Sequence, residues 1–317
     1  MTGKAFASTE DTAEKKVSLD QIGSGLYACT AEGDPNSGII VGDDAVMVVD
    51  AQPTPAMANE VIARVAKVTD KPIKYVLLTH YHAVCTLGAS AYQGAEILAS
   101  DATRGLIAER GKQDMESETA RFPRLFRAAE TIPGLTWPTA TFPDQISVWL
   151  GRREVRIMHV GRGHTAGDVI AVVPDAGVVF AGDLVEYKTA CCCGDAHFTD
   201  WLATLDHLAE MQPIALLPGR GAALTTPEMV AEGLALTGDF IATLYGSVTE
   251  SVAKGRSLKD AFDFARLAMD PKFKTFAIYE HCLPFSVVRA YDEARGIEWP
   301  VIWTVERDRE MWAALQG

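Results

Sequence analysis

The chain has 317 residues, of which 48% are apolar and 22% are charged, a composition typical of soluble globular proteins rather than of disordered chains. A chain of this length can bury about three quarters of its unfolded surface in a core. Its net charge of −13 makes the phosphate backbone of a nucleic acid an unfavourable partner.

The first half of the chain predicts a loose lead followed by alternating strands and a helix. Residues 1–16 are polar and carry charges of both signs, so we expect a flexible segment there. Short β-branched runs on both sides of a Gly-Asp-Asp turn predict a hairpin over 38–50. Residues 55–68 place apolar side chains at helical spacing. Residues 73–78 predict a buried strand that leads directly into Thr79-His80-Tyr81-His82.

The second half repeats this plan. Its predicted elements are strands at 146–150 and 155–160, a hairpin over 169–181 that ends in Gly182-Asp183, a helix over 201–211, and a strand at 214–217 that ends in Pro218-Gly219-Arg220-Gly221. The repeat indicates two similar halves packed face to face, with strand ends meeting at one edge and helices on the outer faces. We therefore predict an α/β domain over residues 17–224.

Two stretches lie outside the repeat. Residues 101–144 begin as a helix and continue as a loop rich in aromatic residues and proline, which predicts either a pocket wall or a subunit contact. Residues 225–317 are mostly helical in pattern and begin with Thr225-Thr226-Pro227-Glu228, a good helix start. We interpret them as an appended helical region without a flexible linker.

Membrane and secretion signals are not evident in the sequence. No apolar run reaches the roughly 18–20 residues that cross a bilayer, and the N-terminus has no apolar signal core. The expectation is a cytoplasmic protein that does not bind membranes. The six cysteines include the consecutive Cys191, Cys192 and Cys193, which do not resemble a disulfide scaffold, so we expect no disulfides.

Four side chains at strand ends have the chemistry of metal ligands. His80 and His82 are two apart after a buried strand, and residues two apart in an extended segment point the same way. His164 follows two glycines that permit a sharp turn, and Asp183 ends a later strand. Three nitrogen donors with an open position form a catalytic zinc site. His80, His164 and Asp183 alternatively match the two-histidine, one-carboxylate triad of nonheme iron.

The same residues resemble the metallo-β-lactamase superfamily over roughly residues 20–225. Thr79-His80-Tyr81-His82 is similar to the start of the family motif THxHxDH, Gly163-His164-Thr165 to its third motif and Gly182-Asp183 to its bridging aspartate. Pro218-Gly219-Arg220-Gly221 stands at the position of the last histidine motif, and Asp50 at that of an aspartate that supports the site. The resemblance implies an αββα sandwich and a metal centre that includes His80, His82, His164 and Asp183.

Three departures from the family pattern fall on one metal site. Val84 stands in place of an aspartate, Cys85 in place of a histidine, and Arg220 in place of the last histidine. Because an arginine stays protonated at working pH, Arg220 cannot be a ligand. The resemblance therefore implies one metal per chain, most simply zinc, with iron as the alternative. Asp183 is predicted to orient the attacking water, and Arg220 to supply charge beside Asp183 or to clamp a substrate anion.

The leading hypothesis is a metal-dependent hydrolase that attacks an ester, lactone, thioester or similar bond of a small organic substrate. One alternative is a mononuclear iron oxygenase acting on a small thiol or persulfide, and another is a degenerate scaffold that only binds a ligand or partner. Nucleic acid and membrane are not expected as partners, whereas a homodimer is expected from C-terminal aromatic residues.

Several neighbouring side chains keep more than one interpretation. Cys85 and the Cys191–Cys193 loop are alternative ligands for a second metal, although small packed residues are the simpler interpretation. His197 is interpreted as a solvent-facing loop histidine. His281 belongs to a polar cluster that could reach the site from the helical region.

Overall fold

Two β-sheets packed against each other organise the chain, and the computed structural model describes residues 5–316. The first sheet has seven strands in sequential order: β1 (Ser18–Gly23), β2 (Leu26–Thr30), β3 (Ser37–Val41), β4 (Val46–Val49), β5 (Ile73–Leu77), β6 (Glu96–Ser100) and β7 (Ala140–Phe142). The second sheet has the order β12-β11-β10-β9-β8, with β8 (Gln145–Leu150), β9 (Arg153–Met158), β10 (Ile170–Val173), β11 (Val178–Glu186) and β12 (Ala215–Arg220).

Helices cover the outer faces of both sheets. They are α1 (Ala7–Glu10), α2 (Pro55–Val68), α3 (Ala83–Thr86), α4 (Asp101–Arg121), α5 (Phe198–Glu210), α6 (Pro227–Ala253), α7 (Leu258–Phe273), α8 (Tyr279–Ala294) and α9 (Val305–Gln316). Two short 3₁₀ turns lie at Leu87–Ala91 and Ala129–Thr131. This arrangement confirms the predicted αββα sandwich with C-terminal helices.

Parallel pairing brings the functional strand ends to one edge. In the first sheet β4, β5, β6 and β7 pair in parallel, and in the second sheet β11 and β12 pair in parallel. The remaining strand pairs are antiparallel hairpins or meanders, as in β3 with β4. The carboxyl ends of the parallel strands therefore present their following loops together, as the sequence pattern predicted.

The core between the sheets is built from side chains that alternate inward along each strand. Leu26, Ile40 and Met47 of the first sheet pack with Phe180 and Leu217 of the second. Fully burying such a side chain contributes about 1.5–3 kcal/mol. The fit is close, because a Cβ at residue 38, a glycine on β3, would collide with the ring of Phe180. This inter-sheet contact holds the two sets of strand ends in register.

Helix α2 shows how local sequence fixes an outer layer. Thr54 caps its N-terminus by accepting a hydrogen bond from the Met57 N–H, and Pro55 begins the first turn. Val61 and Val65 lie buried against the first sheet. The helix has the predicted bounds, since its cap, its proline and its apolar stripe all point to the same register.

The N-terminal segment, predicted as a flexible lead over residues 1–16, makes contacts with the rest of the fold in its described part. Residues 1–4 of that lead lie outside the described part of the chain. Beyond them, the Phe6 ring lies 5.1 Å from the Trp312 ring, and Asp11 forms an ion pair with Arg124 at 3.0 Å. An apolar anchor and a paired carboxylate therefore hold residues 5–16 against the C-terminal helices and the loop after α4.

The cysteines also differ from expectation at one pair. Cys192 and Cys282 form a disulfide across 90 residues, with Cα atoms 4.9 Å apart, so the expectation of no disulfides is wrong there. The pairing was hidden because Cys282 lies in the first turn of α8, far along the chain from the triple-cysteine loop. Cys29, Cys85, Cys191 and Cys193 are buried free thiols.

Within residues 5–316, the helices are all too short or too polar to cross a bilayer.

Candidate metal centre

The candidate metal ligands lie at the edge where the ends of strands from both sheets meet. They come from the segments that follow β5 and β9 and from β11. His80 and His82 follow β5, and His82 directly precedes α3. His164 lies in the connection between β9 and β10, where Thr165 donates two hydrogen bonds to Asp168 and fixes the turn. Asp183 comes from β11, within a continuous buried stretch.

Three imidazoles converge at this edge. His80, His82 and His164 are buried, and one ring nitrogen of each lies within 4.8 Å of the other two. His82 Nδ1 and His164 Nε2 are 2.9 Å apart, and His80 Nε2 is buried without a hydrogen-bond partner anywhere in 5–316. An orphaned buried nitrogen beside two close ring nitrogens is the arrangement expected of a group that binds a cation.

The environment of His80 fixes its tautomer. Thr79 Oγ1 donates its hydroxyl proton to Asp50 Oδ2 at 2.8 Å, and the Thr79 N–H donates to Asp50 Oδ1 at 2.9 Å. Thr79 Oγ1 lies 2.9 Å from His80 Nδ1, so that nitrogen must be the donor. The lone pair of His80 therefore lies on Nε2 and faces the centre. Such outer hydrogen bonds orient metal-binding histidines.

His82 is oriented by a carboxylate that comes from a distant loop. Its Nε2 donates to Asp195 Oδ2 at 3.3 Å, and Asp195 Oδ1 accepts a hydrogen bond from Arg110 at 3.0 Å. Burial lowers the pKa of His82, but Asp195 and the nearby Asp114 outweigh that effect and raise it to about 9. The hydrogen bond to Asp195 at Nε2 leaves His82 Nδ1 to face His164 Nε2 and a bound cation.

Asp183 is held by an arginine rather than by a second metal. Arg220 Nη1 donates to Asp183 Oδ2 at 2.5 Å and to Glu186 Oε1 at 3.2 Å. Burial raises the pKa of Asp183, but Arg220 and the three histidines outweigh burial and hold it well below its ordinary value. Asp183 Oδ2 is 3.6 Å from His164 Nε2 and 3.9 Å from His80 Nε2. A Cβ at residue 219, a glycine, would overlap Asp183 Oδ1, so the carboxylate depends on that close approach.

The side chains around the histidines are compatible with a bound cation. Asp183 pairs with Arg220 and Asp195 pairs with Arg110. Burial raises the pKa of Asp50 and of Asp168 to about 7 and that of Glu186 well above its ordinary value. The convergent ring nitrogens, with His80 Nε2 unpartnered in the described chain, fit a cation at the three imidazoles.

The positions that would hold a second cation have different chemistry. Val84 and Cys85 are buried in an apolar cluster with Leu125 and Phe126. Burial raises the pKa of the Cys85 thiol well above its ordinary value, which favours the uncharged thiol. Cys85 Sγ does lie within 4.8 Å of donor atoms of Asp50 and His80, but Asp50 already accepts the hydrogen bonds from Thr79.

A pocket opens beside the histidines, with a volume of about 60 Å³, room for roughly four water molecules. One side of it carries His82, His164, Asp183 and Arg220. The other walls come from α4, the loop after it, and the C-terminal region, through Asp114, Glu118, Phe122, Leu125, Phe285 and Trp303. His281 and the Cys192–Cys282 disulfide also line the pocket, so the helical region reaches the site, one of the possibilities left open for His281.

Sequence analysis identified the groups that follow strands and missed those that come from elsewhere. The structure brings His80, His82, His164, Asp183 and Arg220 together, while Asp195, Arg110, Asp114 and Glu118 were assigned no role. His197 is 2% exposed, so its interpretation as a solvent-facing residue is wrong. The His197 ring packs on Trp299, with ring centroids 5.6 Å apart, and the backbone N–H of His197 donates to the Gly163 carbonyl.

Comparison with known proteins identifies one family. The sequence profile of the metallo-beta-lactamase superfamily matches residues 30–220. The linear primary-alkylsulfatase of Pseudomonas sp. (strain ATCC 19151) is 23% identical over 254 residues, which cover 68% of this chain and 47% of that protein. The metallo-beta-lactamase type 2 of Bacteroides fragilis is 21% identical over 220 residues, covering 65% of this chain and 79% of that protein.

Solved structures agree with this fold. The metallo-beta-lactamase from Pontibacter korlensis superposes with a TM-score of 0.57 at 19% identity, over 70% of this chain and 99% of its own. A double mutant of a sec-alkyl sulfatase superposes with a TM-score of 0.68 at 15% identity, over 90% of this chain and 51% of its own. The chain thus spans about half the length of the two sulfatases, and its similarity to the second extends into the C-terminal helices.

Proposed function

The chain belongs to the metallo-beta-lactamase superfamily, and on that premise we propose that it is a metal-dependent hydrolase with one zinc ion per chain. His80, His82 and His164 hold the ion, and the substrate is a small organic molecule with an ester, lactone, thioester or similar bond. The observation that carries this proposal is the convergence of three imidazole nitrogens, with His80 Nε2 lacking a hydrogen-bond partner within the described chain.

The chain's own residues supply positioning and proton handling. A bound zinc ion lowers the pKa of a water molecule and polarises a substrate oxygen. Asp183 Oδ2, the carboxylate oxygen nearest the histidines at 3.6 Å from His164 Nε2, is the acceptor that orients the attacking water. Arg220 fixes Asp183 through Oδ2, and its Nε–H, which also lacks a described partner, is the donor for a substrate oxygen.

Three histidine ligands are favoured over the iron triad by the position of His82. The triad would leave His82 outside the ligand set, yet its Nδ1 lies 2.9 Å from His164 Nε2, and a ring nitrogen of each of the three histidines lies within 4.8 Å of the other two. Three nitrogen ligands with an open position are typical of catalytic zinc. The donor set therefore supports zinc over iron.

The pocket suggests which substrates to test first. Its wall combines the cation of Arg220 with the apolar side chains of Phe122, Leu125 and Phe285. One relative is a linear primary-alkylsulfatase, so sulfate esters of small alcohols join carboxylic esters and lactones in the first screen. We propose no nucleic acid or membrane partner, and the homodimer and cytoplasmic location stay predictions.

Metal content per chain, measured by elemental analysis on protein purified without chelators or added metal, tests the proposal. We expect about one zinc in the native protein and none after His80→Ala, because that substitution removes one of the three donors. His207→Ala is the matched control, since His207 is exposed and bonds only to the Val160 carbonyl. One iron per chain would favour the oxygenase, and folded protein that binds no metal would favour the non-catalytic scaffold.

A further inference from the structure

The pocket contains a carboxyl group that the metal centre does not explain. Glu118 lines the pocket together with His82, His164 and Asp183. Its side chain is 14% exposed, and its Oε2 is buried with no hydrogen-bond partner in the described chain. Its other oxygen lies 4.0 Å from Arg121 Nη2, which is beyond hydrogen-bond distance. One carboxyl oxygen therefore faces the pocket without an internal role.

The charged neighbours of Glu118 on α4 already have partners within the protein. Asp114 lies one helical turn earlier on the same face and accepts the Ala83 N–H at 2.7 Å, so it fixes the start of α3. Arg121 forms an ion pair with Asp308 at 3.1 Å and packs over the Phe285 ring. Glu118 is thus the acidic side chain on this face that is left available to a bound molecule.

Charged groups of both signs face Glu118. They are Asp114 and Arg121 on its own helix, Cys85 on α3, and His82, Asp183 and Arg220 across the pocket. Burial raises the pKa of Glu118 above its ordinary value, although Arg121, His82 and Arg220 oppose this. A buried carboxyl in such surroundings retains a proton to higher pH and can donate it in a reaction.

The chemistry of ester cleavage leaves a task for this group. Val84 has no carboxylate, and Asp183 is anionic and bound to Arg220. When the bond to an alkyl leaving group breaks, the departing oxygen keeps the electron pair and becomes strongly basic. A proton donor that lines the same pocket as His82 and His164 can neutralise it.

Building on the proposed hydrolase function, we infer that Glu118 is the general acid that protonates the leaving-group oxygen of an ester substrate in this pocket. The water oxygen bonds to the acyl or sulfuryl centre, and one water proton is released to solvent. The bond to the alkoxy oxygen breaks with its electron pair on that oxygen, which takes the Glu118 proton. The Glu118 carboxylate then regains a proton from solvent. The favoured substrates are esters of alkyl alcohols, which need such a donor.

The test compares Glu118→Gln with Glu116→Gln, an identical change on the exposed side of the same helix, where the side chain is 53% exposed. Each variant and the native zinc protein are assayed on an alkyl ester and a nitrophenyl ester of the same acid. We expect Glu118→Gln to lower kcat on the alkyl ester by about 100-fold or more, and to change the nitrophenyl rate little, because nitrophenolate leaves without a proton. Glu116→Gln should match the native protein on both.

Two further readouts do not depend on the rate alone. In the native protein kcat on the alkyl ester should fall as pH rises through the Glu118 pKa, and this alkaline limb should vanish in Glu118→Gln. The infrared C=O band of a protonated carboxyl, recorded on metal-free protein, should weaken in Glu118→Gln and not in Glu116→Gln. Zinc content should be equal in all three proteins. Glu118→Asp, which keeps the carboxyl with a shorter reach, should fall between the native protein and the glutamine variant.

Failure of the hydrolase proposal can be distinguished from failure of the role assigned to Glu118. If the native zinc protein cleaves no ester of either kind, the hydrolase proposal fails and this inference fails with it. If the native protein cleaves both esters and Glu118→Gln slows them equally, or slows neither, the hydrolase proposal stands and the role of Glu118 is overturned. An unchanged alkaline limb in a folded Glu118→Gln or Glu118→Asp protein would also overturn it.

Discussion

The two halves of the candidate centre balance the same negative charge in different ways. On one side, His80, His82 and His164 present convergent imidazole nitrogens that fit a metal ion. On the other side, Arg220 places a permanent cation between Asp183 and Glu186, and the apolar Val84 lines the same pocket. Unlike a metal ion, a guanidinium is a permanent part of the chain, and it has no open coordination position. The comparison teaches that a guanidinium can supply positive charge beside buried carboxyl groups without a metal ligand at that position.

The arginine side of this comparison gives the largest expected effect. Arg220→Ala leaves Asp183 and Glu186 buried without their counterion, so we expect the free energy of unfolding to fall by about 3–5 kcal/mol. Chemical denaturation of the metal-free protein measures it. Arg156→Ala is the control, because its partner Glu154 is on the surface and the Arg156 side chain is 56% exposed. A loss no larger than that of the control would contradict the role given to Arg220.

Restoring the ligand types of the family motif should convert the arginine side of the centre into a second metal site. The triple variant Val84→Asp, Cys85→His and Arg220→His supplies the three residue types that the family motif has at these positions. We expect about two metal ions per chain in place of one, measured by elemental analysis after equilibration with zinc. Val84→Asp alone is the control and should keep one. A folded triple variant that still binds one ion would break the argument that these three positions set the metal count.

The carboxylate behind His82 should have a smaller effect on the metal. Asp195→Asn weakens the hydrogen bond that orients the His82 ring, so we expect zinc affinity to fall by about 10–100-fold. Competition with a chromophoric chelator measures the affinity. Asp200→Asn, which changes a partly exposed partner of Arg162, should leave it unchanged. Equal affinities for the two variants would mean that Asp195 does not support the ligand.

The thiol at position 85 should matter least. Cys85→Ala removes a small buried group from an apolar cluster, so we expect a stability loss of about 1 kcal/mol with unchanged zinc content. Thermal denaturation and elemental analysis on the same preparation provide both numbers. A fall in zinc content as large as that of His80→Ala would instead make Cys85 a ligand and remove the contrast between the two sides.

Local pattern was sufficient for much of the fold and for the ligand candidates. Helix α2 and the strands before His80 and Asp183 have strong periodicity and clear end signals, so their positions followed from sequence. Strands β1 and β2 were missed because β1 is a half-exposed edge strand whose burial pattern does not alternate. Strands β6 and β7 were missed because they are short and flank the long helix α4.

The parts of the centre that were missed depend on contacts far apart in sequence. Asp195 meets His82 across 113 residues, and the Cys192–Cys282 bridge closes a span of 90. Neither contact leaves a local signal, because each partner alone is an ordinary loop or helix residue. Glu118 was missed for a similar reason, since only the packing of α4 against the strand ends turns it into the pocket.

The pocket is shared between distant stretches of the chain, and this has a consequence for how such a protein can change. The candidate metal ligands come from the strand-end segments between residues 80 and 183, whereas Phe285 of α8 and Trp303 of the loop between α8 and α9 line the same pocket from the C-terminal region. Substitutions in that region can reshape what enters the pocket without disturbing the ligands. Changes in the C-terminal region, which supplies none of the candidate ligands, can therefore alter which substrates reach the same metal centre.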